Sequence, residues 1–180
     1  LNSAGDLEYV VLRNFEGLPD VVSIDEHFDL DLLVNDYYAA KRVLDAESTT
    51  DQRTEDGLGR VQNRFKVADK WVQVDIRQLG DSYYDWRWEN AILRNKKILR
   101  GFINVLDSEN YRFSLLYHAL VHKSSISKTY RTKFVEEFKT DDLEHLTKIL
   151  HEWMKQKDYS VTRPSDPSVF FNGNTMRSLL

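Results

Sequence analysis

Three aspartates in two apolar stretches are the residues of this chain whose types and spacing point most directly to chemistry. Asp29 and Asp31 alternate with apolar residues in His27–Val34. In a strand, successive side chains point to opposite faces, so both carboxylates share one face, about 6–7 Å apart. Like charges on one face repel each other, and a bound divalent cation would turn that repulsion into attraction. We therefore expect the pair to bind a metal ion.

A third carboxylate comes from a later stretch of the same kind. In Lys70–Arg77, apolar residues alternate with polar ones, and Asp75 and Arg77 share the polar face. If this strand neighbours the first, Asp75 joins Asp29 and Asp31, and three carboxylates can hold two metal ions about 4 Å apart, as in phosphoryl displacement. Oxygen ligands suit Mg²⁺ or Mn²⁺. The alternative is a solvated strand end, because Asp-x-Asp alone is a common pattern.

The remaining pattern predicts the elements that position these residues. The first part of the chain favours strands separated by a helix and a polar loop: strands Leu7–Arg13, His27–Val34, Arg60–Val67 and Lys70–Arg77, a helix from Asn35 or Asp36 to Ala46, and a loop over Glu47–Gly59. The second part favours helices near Asp85–Lys97, Ser108–Lys123, Thr129–Lys139 and Asp141–Gln156, with Ser108 and Thr140 as N-caps. Strands mixed with helices in this order predict an α/β (α+β) fold with a mixed sheet.

The two aspartate stretches resemble the nucleotidyltransferase superfamily, which includes polymerase-β-like enzymes. His27–Val34 is similar to its hDhDhhV strand, and Val72–Ile76 is similar to the strand of its third carboxylate. The likeness is greatest to bacterial and viral members with a Leu-Arg strand before DxDLLV. It covers residues 6–80 by motif and implies a nucleotidyltransferase-like core over 1–80, a helical segment over 81–158 that closes the cleft, and an extended tail or linker over 159–180.

The resemblance also implies the chemistry. The expected activity is transfer of a nucleotidyl group from an NTP, or another phosphorylated donor, to a hydroxyl or phosphate acceptor. Asp29, Asp31 and Asp75 would be the catalytic residues and would hold Mg²⁺ or Mn²⁺, and Asp75 would accept a proton from the acceptor. The superfamily has a Gly-Ser pair after the first strand, where this chain has Arg13-Asn14. Arg13 and Asn14 would contact phosphate in its place.

Two other functions stay open at this point. A metal-dependent glycosyltransferase with a nucleotide-sugar donor also uses Asp-x-Asp, although the short N-terminal half leaves little room for its usual fold. A degenerate, non-catalytic nucleotide-binding module of a larger protein would explain the missing Gly-Ser pair. The chain begins without Met, which leaves open that it is one domain of a longer protein.

Further binding residues are expected around the carboxylates. Arg77 and Arg87 flank an aromatic stretch at the edge of the site and suit phosphate, with a salt bridge to an aspartate as the rival role for Arg77. His118 and His122 lie four residues apart on one helix side, but a zinc site lacks a third ligand, so packing is favoured. If that side faces the cleft, His118 and Lys123 join the site.

Composition limits the classes of protein that remain. A net charge of −4 argues against nucleic acid as the main partner. The chain has no cysteine and no apolar run near the roughly 20 residues that span a bilayer, so we expect a cytoplasmic protein away from membranes. The P-loop, the dinucleotide-binding glycine motif and the Gly-x-Ser-x-Gly elbow are absent from the sequence, which argues against ATPases, dehydrogenases and α/β-hydrolases.

Overall fold

A computed structural model describes residues 1, 5–15, 18, 29–51, 60–67, 69–173 and 175, with the backbone alone at 29, 50, 51 and 60–62. Within this part the chain forms seven strands and five helices. The strands are β1 Tyr9–Arg13, β2 Asp29–Val34, β3 Glu47–Asp51, β4 Arg60–Val67, β5 Lys70–Gln78, β6 Lys97–Leu99 and β7 Ile103–Val105. The helices are α1 Tyr37–Leu44, α2 Trp86–Arg94, α3 Ser108–Val121, α4 Lys128–Phe138 and α5 Leu143–Gln156. The predicted α/β class with a mixed sheet is confirmed.

The seven strands lie in one sheet in the order β3-β4-β5-β2-β1-β7-β6. At its centre, β2 pairs antiparallel with β1 and parallel with β5. The parallel register sets Asp31 directly opposite Asp75 and Leu33 opposite Arg77. Residues paired in this way point to the same face of a sheet. The condition for Asp75 to join the first aspartate strand, that the two strands are neighbours, is therefore met.

Three local expectations were wrong. Residues 47–51 were expected in a loop, but they form β3, because the open edge of β4 pairs with them. Strands β6 and β7 lie in the part expected to be helical, where β7 pairs in parallel with β1. The N-caps of α3 and α5 are Asp107 and Asp142, not Ser108 and Thr140, because their carboxylates accept from the first free N–H groups of the helices.

Apolar residues on the two faces of the sheet build two cores. On one face, α2, α3 and α5 pack against Val10, Leu12 and Leu33 around the buried ring of Trp88. On the other face, α1 contributes to a smaller core with residues of β1, β2 and β5. Asp31 is two residues from Leu33 and shares its face, so it points to the side that α2, α3 and α5 cover. None of the described helices is both long and apolar enough to cross a bilayer.

Residues 159–172 have neither helix nor strand but pack on the body of the protein. The backbone N–H and hydroxyl of Ser165 both donate to the carbonyl of Asp81, at 2.9 and 2.6 Å. Further on, the N–H of Asn172 donates to the carbonyl of Val121 at 2.8 Å. These bonds hold the tail against the loop after β5 and the end of α3. Whether the chain divides into domains at residues 80 and 158 stays a prediction.

Candidate functional site

A cleft of ≈ 380 Å³ lies between the carboxylate face of the sheet, α3, α4 and the tail. This volume is within the range of small-molecule sites, about 300–1,000 Å³. The lining residues come from seven segments of the chain: Arg13, Asn14, Asp31, Asp75, Arg77, Tyr83, Leu115, His118, His122, Lys123, Ser124, Thr129, Tyr130, Lys133, Ser168, Val169 and Phe170. Charged residues of β1, β2 and β5 form its sheet side: Arg13, Asp31, Asp75 and Arg77.

The structure brings most of the sequence-predicted site residues to this cleft. Those present are Arg13, Asn14, Asp31, Asp75, Arg77, His118 and Lys123. The side chain of Asp29 lies outside the part that the structure describes. Arg87 is not among the lining residues, because it is held elsewhere by Asp85, at 2.9 Å, and by Asp158. Arg87 therefore joins the start of α2 to the end of α5 and does not reach the cleft.

Asp31 is held by the guanidinium of Arg13. Nε of Arg13 donates to Oδ2 at 3.0 Å and Nη2 donates to Oδ1 at 2.6 Å, so both oxygens of the carboxylate are engaged. The two side chains are buried. Burial lowers the pKa of Arg13, but Asp31, Tyr83 and Tyr84 together outweigh it and raise that pKa well above its ordinary value. Arg13 is thus a permanent cation at the floor of the cleft.

Arg77 lies between two carboxylates. Its Nη2 is 3.3 Å from Oδ2 of Asp75, and its Nη1 donates to Oδ2 of Asp166 in the tail at 2.9 Å. The guanidinium also stands over the ring of Tyr83, 4.8 Å from the centroid. Nε of Arg77 has no hydrogen-bond partner in the described part of the chain. The salt bridge that rivalled phosphate binding is therefore present, and N–H groups of Arg77 remain for a ligand, among them the one on Nε.

Two histidines complete the wall formed by α3. The hydroxyl of Tyr83 accepts from Arg13 at 3.4 Å and lies 2.5 Å from Nδ1 of His118. The ring of His122 packs on Tyr83 with centroids 4.2 Å apart. Burial, with Arg13 and Lys123 nearby, lowers the pKa of His118 well below its ordinary value. Burial, then Arg13, Arg77 and Lys123, lowers the pKa of His122 to about 3.

Several lining residues were not predicted. Tyr130 and Lys133 enter from α4, and Ser168 and Phe170 enter from the tail. Neither segment carries a local pattern that points to a site, because their position depends on how the chain returns to the sheet. Tyr83 stands in the aromatic stretch after β5, whose place at the edge of the site was expected from its proximity to Asp75.

The charges of the cleft favour an anion. Four cationic side chains, Arg13, Arg77, Lys123 and Lys133, accompany the two described carboxylates, Asp31 and Asp75. A site with excess positive charge and low-dielectric walls attracts phosphate groups. Asn14 stands at the end of β1 with a φ of 60°, a left-handed conformation that Asn tolerates better than most residues. This conformation sets the end of β1 at the mouth of the cleft.

The described carboxylates fit a magnesium ion only together with ligand oxygens. Among the side chains that the structure describes, no three His, Cys, Asp or Glu groups are placed to hold a metal ion by themselves. Mg²⁺ usually takes one or two protein carboxylates and completes its coordination with phosphate and water. Asp31 and Asp75 are opposite each other in register, which places two carboxylates on one face of the sheet. Comparisons of this chain with protein-family models, curated proteins and solved structures found no match.

Proposed function

We propose that this chain is a metal-dependent nucleotidyltransferase that moves a nucleotidyl group from an NTP to a hydroxyl or phosphate acceptor. The observation that carries the proposal is the register of β2 and β5, which sets Asp31 opposite Asp75 in a cleft rich in cations. Folding alone does not favour two aspartates side by side in a sheet, since like charges there repel. A cytoplasmic location, which the lack of cysteine favours, is part of the proposal.

Each group of the cleft has a role in this proposal. Arg77, Lys123 and Lys133 would bind the phosphates of the donor, with Arg77 using its fork of N–H groups. Asp31 and Asp75, together with phosphate oxygens, would hold Mg²⁺, which when bound would neutralise charge on the phosphates. Asp75 would accept the proton of the attacking hydroxyl, because a carboxylate within hydrogen-bond reach can act as a general base.

The bond pattern of Asp31 favours a second candidate, a nucleotide-binding module without catalysis. Both oxygens of Asp31 are engaged by Arg13, so metal binding at Asp31 requires the guanidinium to release at least one of them. A phosphate group of the ligand would take the place of the Asp31 carboxylate on Arg13, since guanidinium binds phosphate in the same bidentate geometry as carboxylate. In a non-catalytic module Arg13 would keep both hydrogen bonds to Asp31 when the nucleotide binds.

Labelled donors separate the candidates. The protein is incubated with Mg²⁺, a panel of hydroxyl and phosphate acceptors, and ATP or CTP labelled at the α-phosphate, while pyrophosphate release is followed. A nucleotidyltransferase transfers the α-label to an acceptor and releases one pyrophosphate per transfer. A glycosyltransferase would instead transfer the sugar of a labelled UDP-sugar. A binding module would retain the nucleotide and release no product.

A matched pair of variants tests whether any transfer activity depends on this site. Asp75→Asn keeps the size of the side chain but removes its charge, and it should abolish transfer. The control is Asp69→Asn in the exposed turn before β5, about 20 Å away along the strand. Equal loss in both variants, or full activity in Asp75→Asn, would contradict the proposal.

A further inference from the structure

His122 is a buried side chain of the cleft whose hydrogen-bonding capacity is unused within the protein. It ends α3 as the C-cap residue, and only 3% of its surface is exposed. Neither Nδ1 nor Nε2 has a hydrogen-bond partner among the residues that the structure describes. Buried polar side chains in folded proteins are nearly always satisfied, so two orphaned nitrogens on one ring require an explanation. The ring lines the same cleft as Asp31 and Asp75.

The surroundings of His122 decide which kind of ligand group it suits. Arg13, Arg77 and Lys123 all oppose a positive charge on the ring, and burial adds to them, so the pKa of His122 is lowered to about 3. The imidazole is therefore neutral at pH 7 and offers one N–H donor and one acceptor nitrogen. A hydroxyl, which both donates and accepts, can bond either nitrogen in either tautomer. A general base should have a pKa near the working pH, so His122 is a binding residue and not the base.

The neighbouring walls are aromatic. The rings of Tyr83 and Tyr117 lie 4.2 and 5.2 Å from the ring of His122, centroid to centroid, and Tyr130 and Phe170 line the same cleft. A sugar or polyol presents apolar C–H groups next to its hydroxyls, which suits aromatic ring faces beside a polar group such as His122. A fully ionised phosphate carries only acceptors, so it can bond the neutral ring through the N–H alone, whereas a hydroxyl can also donate to the other nitrogen.

We propose that His122 binds a hydroxyl of the sugar or polyol part of the substrate, an inference that rests on the proposed function. The hydroxyl has two sources in a nucleotidyl transfer, the ribose of the donor and the polyol of the acceptor. His122 would then set which substrates are accepted, while the arginines and lysines of the cleft bind phosphate.

Ring nitrogen signals of the full chain test this directly. Two-dimensional ¹H–¹⁵N spectra of the histidine rings are recorded with ATP, 2′-deoxyATP, 3′-deoxyATP, adenine, inorganic triphosphate, ribose or glycerol. The His122 signals are assigned by their loss in His122→Phe and His122→Asn. His145 and His151 on α5, which lie outside the lining of the cleft, serve as internal controls.

The expected result is a shift of the His122 ring-nitrogen signals with a hydroxyl-bearing probe and none with inorganic triphosphate. Loss of the shift with a deoxy analogue assigns the hydroxyl to ribose, whereas a shift with ribose or glycerol in the ATP-saturated protein assigns it to the acceptor. His122→Phe should bind the hydroxyl-bearing probe about five- to tenfold more weakly, with unchanged affinity for triphosphate. His122→Asn, which keeps one polar atom near Nδ1, should recover part of the loss.

Three results would overturn the inference: no shift with any probe, a shift with triphosphate alone, or the full shift with adenine alone. Failure of the proposed function is a separate result, since the labelled-donor assay would then show no transfer of the α-phosphate label to any acceptor. The ribose and glycerol spectra still decide the role of His122 in that case. Unfolding curves of both variants show whether a weaker affinity reflects lost structure.

Discussion

The buried ion pair of Arg13 and Asp31 predicts a large loss of stability when Asp31 is replaced by Asn. The replacement removes the charge that compensates Arg13, while both side chains are no more than 10% exposed. Removing one partner of a buried pair typically costs about 3–5 kcal/mol. Asn keeps one acceptor oxygen for Arg13, so we expect about 3 kcal/mol. In a protein of this size, each kcal/mol lowers Tm by roughly 2–4 °C, giving a decrease of about 6–12 °C.

Urea unfolding at pH 7 measures the effect, and an unchanged slope shows that the same surface is exposed. The double variant Arg13→Met/Asp31→Leu should be more stable than Asp31→Asn, because apolar groups replace the orphaned charge. The control is Glu144→Gln, which breaks an exposed pair with Lys148 on α5 and should leave the urea midpoint unchanged. A loss below about 1 kcal/mol in Asp31→Asn would refute the reasoning, since exposed pairs contribute that little.

Three further variants test the buried carboxylate of Glu89 on α2 and the charges at Arg77. Burial raises the pKa of Glu89 from 4.5 to about 7, so the folded protein binds a proton more tightly than the unfolded chain. The free energy of unfolding should therefore fall by about 3 kcal/mol as pH rises from 4.5 to 7. The urea midpoint of wild type should decline from pH 4.5 to 7, and that of Glu89→Gln should not. Parallel plots of midpoint against pH for the two proteins would contradict this prediction. Asp166→Asn should bind inorganic triphosphate several-fold more tightly in calorimetry, because Arg77 loses a competing carboxylate. Arg77→Met should weaken the same binding about tenfold or more, and equal affinities in all three proteins would exclude Arg77 as a phosphate ligand.

Alternation in the sequence was sufficient to find the two strands that carry the described carboxylates. A period of two depends only on neighbouring residues, so the shared face of Asp75 and Arg77 followed from local pattern. The helical spacing of apolar residues on α5 is equally local, and Leu146, Leu150 and Trp153 are buried. What the pattern left conditional was whether β5 neighbours β2, which the order of strands in the sheet answers.

Long-range features could not be predicted in the same way. The ion pair of Arg13 and Asp31 joins two strands through a salt bridge that no spacing reveals, whereas phosphate binding by Arg13 stays a prediction. Strand β3 depends on the edge of β4, and Asp166 depends on the return of the tail to Arg77. Arg87 was misplaced for the same reason, since its partner Asp158 is far along the chain.

Binding of Mn²⁺ tests the central claim most directly. Mn²⁺ is titrated into the protein saturated with a non-hydrolysable NTP, and free Mn²⁺ is measured by electron paramagnetic resonance. If Asp31 and Asp75 hold the metal together with phosphate oxygens, Asp75→Asn should weaken protein-dependent Mn²⁺ binding at least about tenfold, and Asp69→Asn should not change it. Equal Mn²⁺ affinity in wild type and Asp75→Asn would contradict the claim that the two carboxylates form a metal site.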